Sequence, residues 1–164
     1  MSTLYTDNIR ANNASQITLP TGQKIVGTDA GSIYSPESIL QTVSSGAFTT
    51  TVGVTSTSFV SMGHTCSLAA KRSNSRFLVR LSGGGWYDNG NSTQTLWLTF
   101  YKSVNGGAFS NLANVSATHG LLRMSGDGNS WNIKNYSAEW LDPTTDSAGA
   151  TITYAVYGKV NANS

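Results

Sequence analysis

The sequence has one cysteine, no long apolar run and little charge, and each scarcity removes a class of protein. With Cys66 the lone thiol among 164 residues, no intramolecular disulfide can form. It sits in His64-Thr65-Cys66-Ser67-Leu68, without a second cysteine for a metal site, and reads as a buried strand thiol rather than a nucleophile. No stretch approaches the roughly 20 apolar residues that a membrane-crossing helix needs. The opening Met1-Ser2-Thr3-Leu4-Tyr5-Thr6-Asp7 lacks the basic and then apolar layout of a secretory leader. The chain is therefore expected to be made and folded in a cytoplasm, without membrane insertion. Charged residues are 11% of the chain, less than half the globular norm of about 25%. The ten Lys and Arg are spread along it, and only Lys71, Arg72, Arg76 and Arg80 lie close together. That footprint is too thin for nucleic acid, whatever the pI of 8.8 suggests.

Ser, Thr and Asn supply the solubility that charge does not, at about a third of the residues. Four Trp, seven Tyr and five Phe give enough bulky apolar surface for a real core, which separates the chain from a low-complexity disordered one. Its length suits one domain with a short appendage.

The appendage is the first 45 residues. Short strand-like pieces at 4–9, 16–19 and 24–26 are broken by Asn12-Asn13, Pro20-Thr21-Gly22 and Gly27-Thr28-Asp29. Isolated strand pairs are marginal in water, so this segment is expected to find its partners on other chains. Tyr34-Ser35-Pro36 reads as a helix start, with Ser35 as cap and Pro36 at the first helical position, and predicts one or two turns ending near Gln41.

From residue 46 to 164 the pattern is period two and turns. Strands are predicted at 49–55, 57–62, 76–81, 93–102, 121–124, 131–133, 137–141 and 151–160. Phe77, Val79 and Leu81 take one face and Arg76, Leu78 and Arg80 the other; Leu96, Leu98 and Phe100 likewise oppose Trp97 and Tyr101. Asn105-Gly106-Gly107 signals a hairpin returning through Ala108, Phe109 and Leu112. About eight short strands with polar turns predict an all-β antiparallel sandwich or jelly roll.

Leu4-x-x-Asp7-x-Ile9, the run from Ile17-Thr18-Leu19-Pro20-Thr21-Gly22-Gln23-Lys24-Ile25 to Gly27-Thr28-Asp29-x-Gly31-Ser32-Ile33, and Pro36 before Ile39-Leu40-Gln41 resemble the N-terminal segment of tailed-phage virion proteins from aquatic bacteria. The rest is similar to the β-sandwich head that follows such a segment, through Thr57-Ser58-Phe59-Val60-x-Met62-Gly63, Ser73-x-Ser75-Arg76-Phe77-Leu78-Val79 and Leu141-Asp142-x-x-x-Thr145 before Thr151-x-Thr153-Tyr154. The resemblance implies a non-enzymatic virion protein: a homotrimeric tail-fibre or appendage subunit that docks on other virion proteins through residues 1–45. A capsid decoration protein and a free carbohydrate-binding module are the alternatives.

Catalysis finds little footing in the sequence. Glu139 and Asp88 are the carboxylates flanked by Trp or Tyr, and no spacing brings them together across a sugar as glycoside hydrolysis requires. His64 and His119 have no carboxylate at metal-ligand spacing, and Gly126-Asp127-Gly128-Asn129 reads as a turn rather than a calcium loop. No cofactor is expected. The local lead for binding is the loop 83–91. There Trp86 and Tyr87 offer flat faces, and Asp88 and Asn89 offer hydroxyl partners, for host-surface polysaccharide.

Overall fold

A computed structural model describes residues 21, 39, 41–84, 95–112, 119–125 and 135–161. The chain divides into two compact units, Met1–Ser38 and Ile39–Ser164. Thr21 is the one described residue of the first, so the architecture below is that of the second. Most of the segment read as 1–45 lies outside the described residues.

Among its described residues the second unit is all β, with antiparallel pairing. Its described strands are β1 (Val60–Ala69), β2 (Leu78–Gly84), β3 (Thr95–Val104), β4 (Ser110–Asn111), β5 (Leu122–Ser125), β6 (Asn135–Leu141) and β7 (Thr151–Val160). Five form one sheet in the order β1-β7-β3-β4, with β5 also pairing β3, and β2 and β6 form a second. Alternation decides the faces. Leu96, Leu98 and Phe100 of β3 meet Ile152, Tyr154 and Val156 of β7 in one buried cluster with Met124, Leu112 and Ala70. Val79 and Leu81 of β2 and Tyr136, Ala138 and Trp140 of β6 pack on that cluster. The intervening Leu78 and Arg80 point outward, and Arg80 Nε pairs with Glu139 Oε1 across the strands at 2.8 Å. Both partners of that pair are exposed, so it contributes little.

The hairpin after β3 follows its sequence signal. Asn105 and Gly106 have φ of 51° and 73°, and the Gly107 amide donates to the Val104 carbonyl at 3.0 Å. Two successive positive φ values make the primed turn whose twist matches the strands it joins, and Gly106 adopts that backbone without steric cost.

Two expectations need correction. Residues 49–55 form no strand; among the described backbone bonds this stretch finds no ladder, and the nearest link is the Val160 amide to the Ser56 carbonyl at 2.8 Å. Alternating Thr and Val describe a strand's faces, but a strand also needs an adjacent edge to bond. The short helix expected near Pro36 to Gln41 is not seen: Ile39 and Gln41 are non-helical, and residues 34–38 and 40 lie outside the described set. Ile39 is 87% exposed, so it lacks the packed apolar face that sustains so short a helix.

Candidate functional site

Two groups of side chains converge on β3, one on each face. On the inner face, β3 carries Lys102 into the core, where its Nζ lies 2.8 Å from Asp142 Oδ2 and 2.5 Å from Asp146 Oδ2. Nζ also donates to Thr144 Oγ1. An ammonium has three protons to donate, and three acceptors receive them. Asp142 is equally well served. Its Oδ1 accepts from the Thr144 amide at 2.8 Å and the Thr144 hydroxyl at 2.6 Å, while Tyr154 Oη donates to Oδ2 at 2.8 Å. The side chains of Lys102, Asp142 and Asp146 are 7%, 0% and 9% exposed.

Burial alone would push Lys102 down and Asp142 up. For Lys102 the hydrogen bonds to Asp142 and Asp146 outweigh it, so its pKa lies above the ordinary 10.5. For Asp142 the bonds from Lys102, Thr144 and Tyr154 outweigh it, and its carboxyl lies below the ordinary 3.8. Burial and then Asp142 hold the Tyr154 hydroxyl well above 10.0. This saturated cluster ties β3, the segment after β6 and β7 together, and its polar atoms point at one another rather than at an opening.

The outer face of the same sheet is different. Trp97, Thr99 and Tyr101 alternate with the inward residues of β3, and register places Trp97 beside Lys159 and Arg123, Thr99 beside Tyr157, and Tyr101 beside Ala155. Tyr101 and Tyr157 stack with ring centroids 3.8 Å apart at 17°. Phe59 lies 6.4 Å from Tyr101, and Phe109 lies 6.1 Å from Tyr157. Burial first, and then Tyr157, keeps the Tyr101 hydroxyl protonated above its ordinary 10.0.

At one end of this face the Arg123 guanidinium sits 5.4 Å over the Trp97 ring, and His119 meets that ring edge-on at 5.0 Å. Lys159 Nζ lies 5.2 Å from the Phe59 ring, beneath the aromatic layer at 7% exposure. Thr99 is 2% exposed, and its Oγ1 has no hydrogen-bond partner among the described residues. The described carboxylates are all elsewhere, Glu139 on β6 and Asp142 and Asp146 in the inner cluster. Among the described residues the face is thus mainly aromatic, with the Arg123 guanidinium at one end and Lys159 beneath the rings.

The residues expected to bind glycan, Trp86, Tyr87, Asp88 and Asn89, lie outside the described residues. So do Asp127 and Trp131. Sequence alternation did place Trp97 and Tyr101 on one face, but it carried no sign that Tyr157, Phe59 and Phe109 would join them. Trp140 and Tyr136 belong to the inner packing instead.

His64 stacks on Phe48 at 4.1 Å, and Cys66 is half-buried with its thiol 3.8 Å from the Val43 carbonyl. Both line a cavity of about 60 Å³ with Phe100, Tyr154 and Val79, room for little more than water. No cluster of three or more His, Cys, Asp or Glu suited to a metal occurs among the described residues. No family model matches the chain, and no curated protein or solved structure matches it.

Proposed function

We propose that this chain is a non-enzymatic structural subunit of a virion, the head of a tail fibre or appendage, whose outer sheet face touches host-surface glycan. Residues 1–45 join three copies and dock them on other virion proteins, and the two packed antiparallel sheets form a sandwich or jelly-roll head. The observation that carries the recognition reading is the half-open layer of Phe59, Trp97, Tyr101, Phe109 and Tyr157 on one sheet face. A layer of rings left partly open on a soluble domain marks a contact surface, and the flat faces of Trp and Tyr suit sugar rings better than charged or aliphatic surfaces do.

Two further features support assembly. The N-terminal motifs resemble the tailed-phage segment, and the stretch leading out of it leaves Ile39, Val43, Phe48 and Val52 exposed at 87%, 40%, 45% and 36%. Sedimentation tests the assembly. The full chain is expected at three times its 17.3 kDa mass, and deletion of residues 1–41 should weaken or abolish association. A full-length monomer at micromolar concentration overturns the trimer, and a monomer that still binds glycan is a free carbohydrate-binding module.

A further inference from the structure

We infer that the strap of residues 43–48 is exchanged between copies, the strap of one chain closing its neighbour's head beside β1 and β2; this rests on the assembly reading above and names the contact that joins the heads. In its own chain the strap is poorly held. Residues 41–53 are exposed throughout and make no backbone bond to a strand among the described residues. What holds them is the Phe48 ring on His64 and the Cys66 thiol on the Val43 carbonyl. The cavity that Phe48 shares with His64 and Cys66 of β1 and Val79 and Leu81 of β2 stays unfilled, and 45% of Phe48 remains outside.

The seat offers more than this strap takes. Ala70 turns both its backbone groups toward β7, donating to the Ala150 carbonyl at 2.9 Å and accepting from the Gly149 amide at 2.8 Å, so alternation points those of Thr65, Ser67 and Ala69 to the open edge of β1. No described residue bonds them there. β1 also has no proline and no Lys, Arg, Asp or Glu, the residues with which proteins guard an edge. A chain's own strap does not lie straight along that edge, because it turns at Gly46 with φ of 79° and is soon tied to the same head, by Val54 in the core packing and by the Ser56 carbonyl on the Val160 amide. A strap from a second copy has no such tether on this head. It can run as an added strand on β1 and set its Phe48 deeper beside His64. Exchange repeats a contact already made within the chain, which makes it a low-cost route to assembly, and the strap continues the segment that joins the copies.

The experiment is Val43→Cys in the full chain, oxidised at micromolar concentration with Cys66 as the second thiol. Disulfides between chains, seen as a ladder of linked copies on non-reducing gels and removed by Cys66→Ser in the same variant, are the expected result. Phe48→Ala should weaken association about tenfold, as losing one ring pair implies, with the fold of the head intact by circular dichroism. Disulfides confined to single chains in a protein that still sediments as a trimer overturn the inference and leave the assembly reading standing. Single-chain disulfides in a protein that sediments as a monomer overturn both. No disulfide of either kind, with both thiols titratable, shows that strap and β1 do not meet and overturns the inference, as does unaltered association of Phe48→Ala.

Discussion

Removing the ammonium of Lys102 would leave Asp142 and Asp146 facing each other in a dry interior. Breaking a buried pair in this way costs about 3–5 kcal/mol, so Lys102→Met should lower the urea midpoint steeply although methionine fills much the same space. Tyr154→Phe is gentler. It deletes one of four donors to Asp142 and should cost about 1.5–3 kcal/mol, the worth of a hydrogen bond to a charged group. Acid and alkali should act on the cluster in opposite ways. Asp142 titrates below its ordinary 3.8 in the folded protein, so its contribution is complete above that value and disappears as pH falls through the lower folded pKa. Lys102 titrates above 10.5, so its contribution is complete below that value and is lost as pH rises through the higher folded pKa. In Lys102→Met the acid limb should reverse. The orphaned Asp142 prefers to be protonated, and the variant should gain stability on mild acidification where the wild type does not. Denaturation midpoints across the acid range check this, and parallel curves for the two proteins refute it. None of this was legible in the sequence, because Lys102 stands some forty residues from both carboxylates and no local pattern links them.

At the scale of the element, close approach decides as much as alternation does. Gly120, just before β5, passes against the backbone of Leu98 in β3: an added Cβ would fall on the Leu98 carbonyl oxygen and lie 3.0 Å from its nitrogen. Gly120→Ala must therefore push the entry to β5 off the sheet, at about 1–3 kcal/mol. It should also loosen the His119 contact on Trp97, so tryptophan fluorescence should shift along with the melting temperature; a variant as stable as wild type with an unshifted spectrum refutes the contact. The strands themselves were largely readable. Residues 151–160 match β7, and the β2 alternation is as the sequence drew it, since period two records which side chains meet a core. Residues 49–55 carry the same period and are not a strand, because alternation says nothing about whether a free edge is available. The hairpin was readable for the opposite reason, its chemistry being local to Asn105 and Gly106.

For the molecule as a whole, pairing order was the least legible property. The sequence implied about eight strands but not that β7 would lie between β1 and β3, with Val60 opposite Gly158 and Leu96 opposite Val160. That arrangement also explains why the candidate face escaped notice. Trp97 and Tyr101 were visible as a pair, but their aromatic neighbour Tyr157 arrives from a strand more than fifty residues away. The position of β7 has a kinetic consequence. The last described strand to leave the ribosome lies inside the large sheet, so β1 and the β7-facing edge of β3 stay open until it is synthesised, while the other side of β3 can already pair with β4 and β5. Such long-range pairing places folding in the slow range of about milliseconds to seconds. It also makes the unfinished chain the aggregation-prone species. Chains stopped before Thr151 should be aggregation-prone and show weaker β-sheet circular dichroism than chains ending after Asn161, since only the β2–β6, β3–β4 and β3–β5 pairings remain to them; a truncation at residue 150 as soluble and as β-rich as the full chain would refute the role given to β7. Yield of this protein in a cell is then expected to depend more on protection of the nascent chain than on the stability of the finished one.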